Sequence, residues 1–307
     1  MIKFFVPVSV EKSGRRASVR FRAIVPVKGS DGKMGMIHDI HDAKKEDVIV
    51  IAKIINMAGI KHLIDNNIKF IFDICDDKWN KKPELYNYAC KHANLVTTTC
   101  KLLQDVIKRE TGKTAHIIPD PTERDFEEPK FNPGEKLKFS YFGGRKSFSL
   151  FDWEAVIDKI QKVTNNFEIN VATNKPDKAA KRLTHWREKG ILKMHDWSFE
   201  LQGQLVRESD MVLLPIPENM PLVKVKSPNR VIDGISQGRF VITNDGVESY
   251  RVLKKYIHLG SVDEGILWAL NNREQVIEKI KQGQQYIKQN HSPEVIGKKW
   301  LEMEKLV

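Results

Sequence analysis

Apolar residues along the chain gather in short runs, separated by longer stretches with helical spacing. In the first half the runs are Ile2–Val8, Asp47–Ala52, Lys69–Ile74, Asn94–Thr98 and Ala115–Ile118. In the second half they are Leu137–Phe142, Phe167–Val171, Ile191–Met194, Met211–Leu214, Arg239–Thr243 and Tyr256–Leu259. Several are unbroken apolar tracts, the mark of strands covered on both faces. Between them, Leu85–His92, Lys101–Glu110, Trp153–Val163, Lys178–Glu188 and Pro228–Gln237 space their apolar residues as helices do. Alternating strand and helix predicts parallel sheets with right-handed crossovers. So many strands exceed one ordinary sheet.

The alternation breaks once. Residues 119–134 carry Pro119, Pro121, Pro129 and Pro133 among charged side chains, and proline refuses both a helix interior and a central ladder position. This stretch is expected to be an extended linker, which divides the chain into an α/β domain over 1–128 and a second over 129–284, facing a cleft. From Asn272 to Val307 the pattern reads as helix, interrupted at Ser292-Pro293; residues 285–307 form a C-terminal helical segment.

With 307 residues, 41% apolar and 30% charged, the composition is that of a globular protein able to bury two cores. The longest aliphatic run, Val48–Ala52, falls far short of the roughly 20 residues that span a bilayer. The first residues show no secretion-signal pattern, so a cytoplasmic location is expected. Cys75, Cys90 and Cys100 have no metal-type spacing and are expected to be idle thiols. Charge adds more. The excess of 51 Lys and Arg over 40 Asp and Glu gives +11. Residues 1–118 supply 21 of the basic and 13 of the acidic side chains, so most of the excess sits there. Such a field attracts phosphate-bearing partners.

The chemistry concentrates in Lys224-Val-Lys226-Ser-Pro-Asn229-Arg230-Val-Ile-Asp233-Gly-Ile-Ser-Gln-Gly238. Ser227 is a plausible N-cap, Pro228 suits the first helical position and Gly238 suits the stop. Lys224, Lys226, Asn229 and Arg230 therefore crowd a helix start, where cations and unpaired amides suit a diphosphate. Asp233, one turn past Asn229, is placed to accept from ribose hydroxyls. Gly112-Lys-Thr114 fails as a phosphate-binding loop because Ile107 stands where a glycine is due. The cluster His38-Asp-Ile-His41-Asp42 reads as a surface loop rather than a metal site.

The segment Asn229-Arg230-Val-Ile-Asp233-Gly-Ile-Ser-Gln-Gly238-Arg-Phe-Val-Ile resembles the donor-binding helix of family-4-like GT-B glycosyltransferases, Asn-Arg-x-x-Glu-Ala-x-x-x-Gly-x-Pro-Val-Ile. The resemblance continues in register through Ser18-Val-Arg20-Phe-Arg22-Ala-Ile-Val-Pro26, Phe70-Ile-Phe-Asp73-Ile-Cys-Asp76-Asp77-Lys-Trp79, Ile117-Ile-Pro119 and Tyr141-Phe-Gly143-Gly-Arg145. It departs from the family at Val225, where a sugar-contacting carboxylate often stands, and at Phe240, which replaces a proline.

The resemblance implies two Rossmann-like domains of GT-B type, the C-terminal helix returning to the first, and a metal-independent hexosyltransferase-like activity with a UDP- or GDP-sugar donor. It implies donor contacts from Arg20, Arg145, Trp197 (on the base), Lys224, Lys226, Asn229, Arg230 and Asp233. Arg230 either joins the diphosphate cations or pairs with Asp233. In the first domain Asp76, then Asp77, is the candidate general base, with Asp73 fixing the loop; Arg15, Arg16 and Arg22 are candidate acceptor contacts. Three readings of the function stay open. One is transfer to an anionic or lipid-linked glycan, with peripheral contact at the inner membrane face. Another is transfer to hydroxymethylated bases of viral DNA, with Arg15, Arg16, Arg20, Arg22, Lys28 and Lys33 on phosphates. The last is a nucleotide-sugar or polymer-binding protein without catalysis.

Overall fold

Each predicted strand forms, and an additional short one joins them, in a computed structural model that describes residues 1–7, 16–52, 56–216 and 225–307. The additional strand, Met34–Ile37, contains Gly35 and follows a Gly- and Ser-containing turn, so no apolar run announces it. It lies at a sheet edge, where one-sided pairing asks less of the sequence. The chain divides into two units: Met1–Glu123 with Lys224–Asn229 and Lys288–Val307, and Arg124–Val223 with Arg230–Ile287.

In the first unit, β1 (Ile2–Phe5), β2 (Met34–Ile37), β3 (Val48–Ala52), β4 (Lys69–Ile74), β5 (Leu95–Thr98) and β6 (His116–Ile117) form a parallel sheet. Their order is β2-β1-β3-β4-β5-β6. The chain leaves β1 to one side for β2 and continues on the other side with β3. The β1/β3 gap is therefore the switch point, the usual ligand position of an open α/β sheet. Buried Ile49, Ile51, Phe70, Phe72, Leu103 and Ile107 build the core on one side. On the other, the C-terminal helix Pro293–Glu304 brings Trp300 edge-on to Phe4, ring centroids 5.1 Å apart, and both are fully buried. Ordering the last helix onto this unit thus buries a side chain among the largest hydrophobic contributors available.

The second unit repeats the plan with β7 (Leu137–Phe142), β8 (Phe167–Thr173), β9 (Leu192–Asp196), β10 (Met211–Leu214), β11 (Phe240–Thr243) and β12 (His258–Leu259). All pair in parallel, in the order β12-β11-β10-β7-β8-β9. This is the dinucleotide-binding order, with its switch point between β7 and β10. Tyr141, Phe148 and Trp153 pack as an aromatic cluster beneath that edge.

Two local expectations change. The helix anticipated over Lys178–Glu188 is broken into Pro176–Ala179, a 3-10 turn Lys181–Leu183 and Thr184–Glu188, because Ala180, Leu183 and Trp186 turn inward from successive short segments. The segment 119–134 has neither helix nor strand but is not a solvated tether: Asp120, Thr122 and Arg124 are buried. Within the second unit its later part is bonded by Glu127 N to Ser236 O at 2.9 Å and Lys130 N to Gly238 O at 3.0 Å. That approach explains Gly238, which has φ +70°; a Cβ there would lie 2.2 Å from the Glu128 carbonyl oxygen. Helix Asn229–Ser236 ends just before it.

Candidate functional site

At the switch point of the second sheet, β7 runs into Gly143-Gly144 and the short helix Arg145–Ser149. Arg145 is exposed. Arg230, on helix Asn229–Ser236, donates from Nη1 to the Tyr141 hydroxyl at 3.3 Å and lies with its guanidinium carbon 5.8 Å from that ring's centroid. Gly143 makes this possible: a Cβ at that position would sit 2.9 Å from the Tyr141 hydroxyl and 3.2 Å from Arg230 Nη1. Burial opposes the charge on Arg230, but the oxygens of Tyr250 and Tyr141 outweigh it, so the group stays protonated. Burial in turn pushes the Tyr141 phenol up, against the pull of Arg230. Among the described residues no carboxylate forms an ion pair with this guanidinium. Of the two roles anticipated for Arg230, pairing with Asp233 is therefore not the one adopted. A half-buried cation held by phenols keeps its charge available to an added anion.

Asp233 is buried on the same helix; its Oδ2 accepts from Gln202 Nε2 at 3.4 Å and its backbone oxygen from Gln237 Nε2 at 3.1 Å. Trp197 follows β9, packs half-buried against the second core and donates its indole N–H to Gln202 Oε1 at 2.7 Å. Asn244, at the carboxyl end of β11, bonds both Ile216 N and Ile216 O, at 2.7 and 2.8 Å, and pins the chain that leaves β10.

In the first unit the two motifs around Arg22 and Asp73 are one interior device. Arg22 Nε and Nη2 reach the two oxygens of Asp73 at 2.9 and 2.7 Å, and Nη1 reaches Asp120 Oδ1 at 2.9 Å and Ile118 O at 2.7 Å. Thr97 donates to Asp73 Oδ1 at 2.8 Å. Burial opposes this charge as well, yet Asp73 and Asp120 hold the guanidinium far above its ordinary range. Arg22, anticipated at the acceptor, is thus fully buried and saturated by internal partners. Asp120 Oδ2 accepts from both Ser227 Oγ at 2.7 Å and Asn229 Nδ2 at 2.8 Å, so the expected helix cap and amide donor instead anchor this network. Val225, where the family often has a carboxylate, is a buried core residue whose carbonyl accepts from Cys100 Sγ.

Asp76 and Asp77 follow the carboxyl end of β4, both half-buried. Asp77 Oδ1 accepts from Trp79 N at 3.2 Å, and Trp79 is held by Asn87 at 2.9 Å and edge-on to Tyr86. These bonds anchor the turn that follows Asp76. Arg20 is engaged by Glu123 at 2.6 Å. Arg16 and Lys226 are exposed. Lys28 and Lys33 are exposed too, but they precede β2 at the amino edge of a parallel sheet, opposite the edge that carries Asp76. Arg15 and Lys224 lie outside the described residues. Gly112, once a candidate phosphate glycine, is the left-handed cap of helix Lys101–Thr111. Burial pushes the Cys90 thiol up to about 12, which leaves it inert. Among the described residues no group of three or more His, Cys, Asp or Glu is arranged to hold a metal ion, and no described helix is long and apolar enough to cross a membrane.

Solved structures share this fold. A glycosyltransferase from Rickettsia africae superposes with a TM-score of 0.69 at 10% identity, over 99% of this chain and 97% of that one. TarM of S. aureus gives 0.62 at 15% identity over 85% of this chain, which spans only 55% of TarM. The fold is GT-B. The pneumococcal O-GlcNAc transferase GtfA, solved with UDP and GlcNAc, gives a TM-score of 0.62 at 10% identity, over 92% of this chain and 60% of that one. No protein-family model matches the sequence, and no curated protein does. At these identities the likeness is carried by the backbone.

Tyr250, Gln202 and Asn244 escaped sequence reading, and Tyr141 entered it only as the start of the Tyr141–Arg145 motif, without a role. Arg230 and Tyr141 are 89 residues apart and belong to no shared local pattern. The one legible trace was Gly143 after an apolar run, which marks close backbone approach without saying what approaches.

Proposed function

We propose that this chain is a glycosyltransferase that moves a sugar from a nucleoside-diphosphate sugar to a hydroxyl acceptor. The observation that carries the reading is Arg230: a guanidinium without a carboxylate partner among the described residues, at the switch point of a sheet in dinucleotide-binding order. In this reading the diphosphate lies against Arg230, with Arg145 as a second cation, and Asp233 accepts from the ribose. The acceptor oxygen bonds to the anomeric carbon as the bond to the nucleoside diphosphate breaks. Negative charge then grows on the leaving phosphate, where a preorganised cation is most effective. Asp76 takes the proton of the acceptor hydroxyl. The donor is a UDP- or GDP-sugar, and UDP in the solved GtfA complex supports trying uridine first.

The basic surplus of the chain supports an anionic acceptor, of which a glycan is the better candidate. The DNA reading loses two of its phosphate-holding cations to internal ion pairs, Arg20 and Arg22, and two more, Lys28 and Lys33, to the opposite sheet edge.

Calorimetric titration of the full chain with UDP and GDP tests the donor site. Arg230→Met is expected to weaken the bound nucleotide about ten- to hundredfold, and an unaltered affinity would remove Arg230 from the site. Asp76→Asn is expected to abolish transfer while nucleotide binding persists. Full turnover in that variant would discard Asp76 as base, and absence of turnover in the unmodified chain with every sugar nucleotide tried would favour the binding-protein reading.

A further inference from the structure

The orientation of the Gln202 amide is dictated by its neighbour. An indole N–H can only donate, so the end of the amide that faces Trp197 Nε1, 2.7 Å away, must be the oxygen. The amide nitrogen is then left pointing at Asp233 Oδ2, 3.4 Å away. Turning the amide over would set two donors against each other at Trp197 and two oxygens against each other at Asp233, both costly away from water. Water is scarce: Gln202 is 5% and Asp233 4% exposed. Gln237 Nε2 donates to the backbone oxygen of Asp233 at 3.1 Å and ties down the main chain that carries the carboxylate. Helix Phe199–Glu208 carries Gln202 and packs on the sheet through Leu205 and Val206, which makes the relay part of a rigid element.

We infer that Trp197 and Gln202 are positioning residues that hold the Asp233 carboxylate in the orientation that reads the ribose hydroxyls of the donor, and so set the preference for ribose over its dideoxy form. This rests on the assignment of Asp233 to ribose made above. It gives Trp197 a role through its N–H, whereas a stacking role would act on the base and be indifferent to the sugar hydroxyls.

The test is calorimetry on the full chain with UDP and GDP, their 2′,3′-dideoxy analogues and inorganic pyrophosphate. The variants are Asp233→Asn, Gln202→Met, Trp197→Phe and the double Trp197→Phe/Gln202→Met. Gln202→Met keeps the side-chain length and removes the amide, and Trp197→Phe keeps an aromatic ring and removes the N–H. Each is expected to lower affinity for the ribonucleotide about five- to tenfold, while the dideoxy analogue and pyrophosphate bind as before. The double variant is expected to lose no more than Gln202→Met alone, because the indole acts only through the amide. Equal losses on ribo- and dideoxynucleotides, or additive losses in the double variant, would overturn the relay. If Asp233→Asn erases the ribose preference while Gln202→Met and Trp197→Phe keep it, the relay falls and the ribose assignment stands. If Asp233→Asn retains the preference, or the unmodified chain binds neither nucleotide, the assignment itself falls and takes the relay with it.

Discussion

Each unit holds an arginine bonded by its own interior, fully buried in the first and half-buried in the second, and the two are treated in opposite ways. Arg22 in the first unit meets Asp73 through a bidentate pair and Asp120 through a third bond, leaving its charge fully countered. Arg230 in the second meets a tyrosine hydroxyl at 3.3 Å and a tyrosine ring. Phenols satisfy donors without neutralising them. The first arrangement has the chemistry of a structural tie, which joins the end of β4, the π-helical stretch Arg20–Ile24 and the segment beginning at Ile118. The second has the chemistry of a reserved charge. Identical side chains thus differ in role because of what faces them, and the presence or absence of an acid partner is the discriminating feature.

The largest expected effect comes from breaking the tie. Arg22→Met would leave Asp73 and Asp120 buried without their cation, which costs about 3–5 kcal/mol. Amide exchange of β4 in a urea series should report that loss in the first unit. Arg230→Met removes a cation that pairs with no carboxylate among the described residues, so amide exchange of β7 should shift by no more than about 1 kcal/mol. Similar losses at both sites would erase the contrast.

A smaller effect sharpens it within the second unit. Glu168 on β8 is a countered charge there, bonded by Lys136 and Lys193 at 2.8 Å each and by Asn170 at 3.1 Å. Burial opposes its ionisation, but these hydrogen bonds prevail and hold its pKa at about 2, down from 4.5. A depressed carboxylate stabilises the folded state above its unfolded pKa, and that contribution disappears as pH falls from about 4.5 to about 2. Because both lysines are partly exposed, the expected amount is about 1–2 kcal/mol. Glu168→Gln should flatten this acid limb of the second unit's stability, measured by denaturant midpoint against pH; an unchanged slope would mean the ion pairs contribute nothing.

The strands were readable because burial on both faces demands continuous apolar runs, as in Val48–Ala52 and Met211–Leu214, and the two-sheet architecture followed from their number and the proline-rich interruption. Met34–Ile37 was not, since an edge strand with a glycine needs no such run. The stop at Gly238 was legible from local helix rules, and the backbone of Glu128 supplied its further reason. Side-chain roles were a different matter. Arg20 and Arg22 stand two apart among basic neighbours and look equally suited to an anion, yet one meets Glu123 and the other Asp73 and Asp120. Ser227 and Asn229 had the residue types of a helix start and turned out to bond Asp120.

Periodicity and residue type act over a few neighbours, so they were sufficient for most of the strands and helices and for the two-sheet α/β plan. Whether a given charge is neutralised depends on partners far away in the chain, such as Asp120 for Arg22 and Tyr141 for Arg230, 98 and 89 residues distant. Folding alone brings those partners together. Electrostatic energy is settled over a few ångströms of space, and no local pattern records that distance.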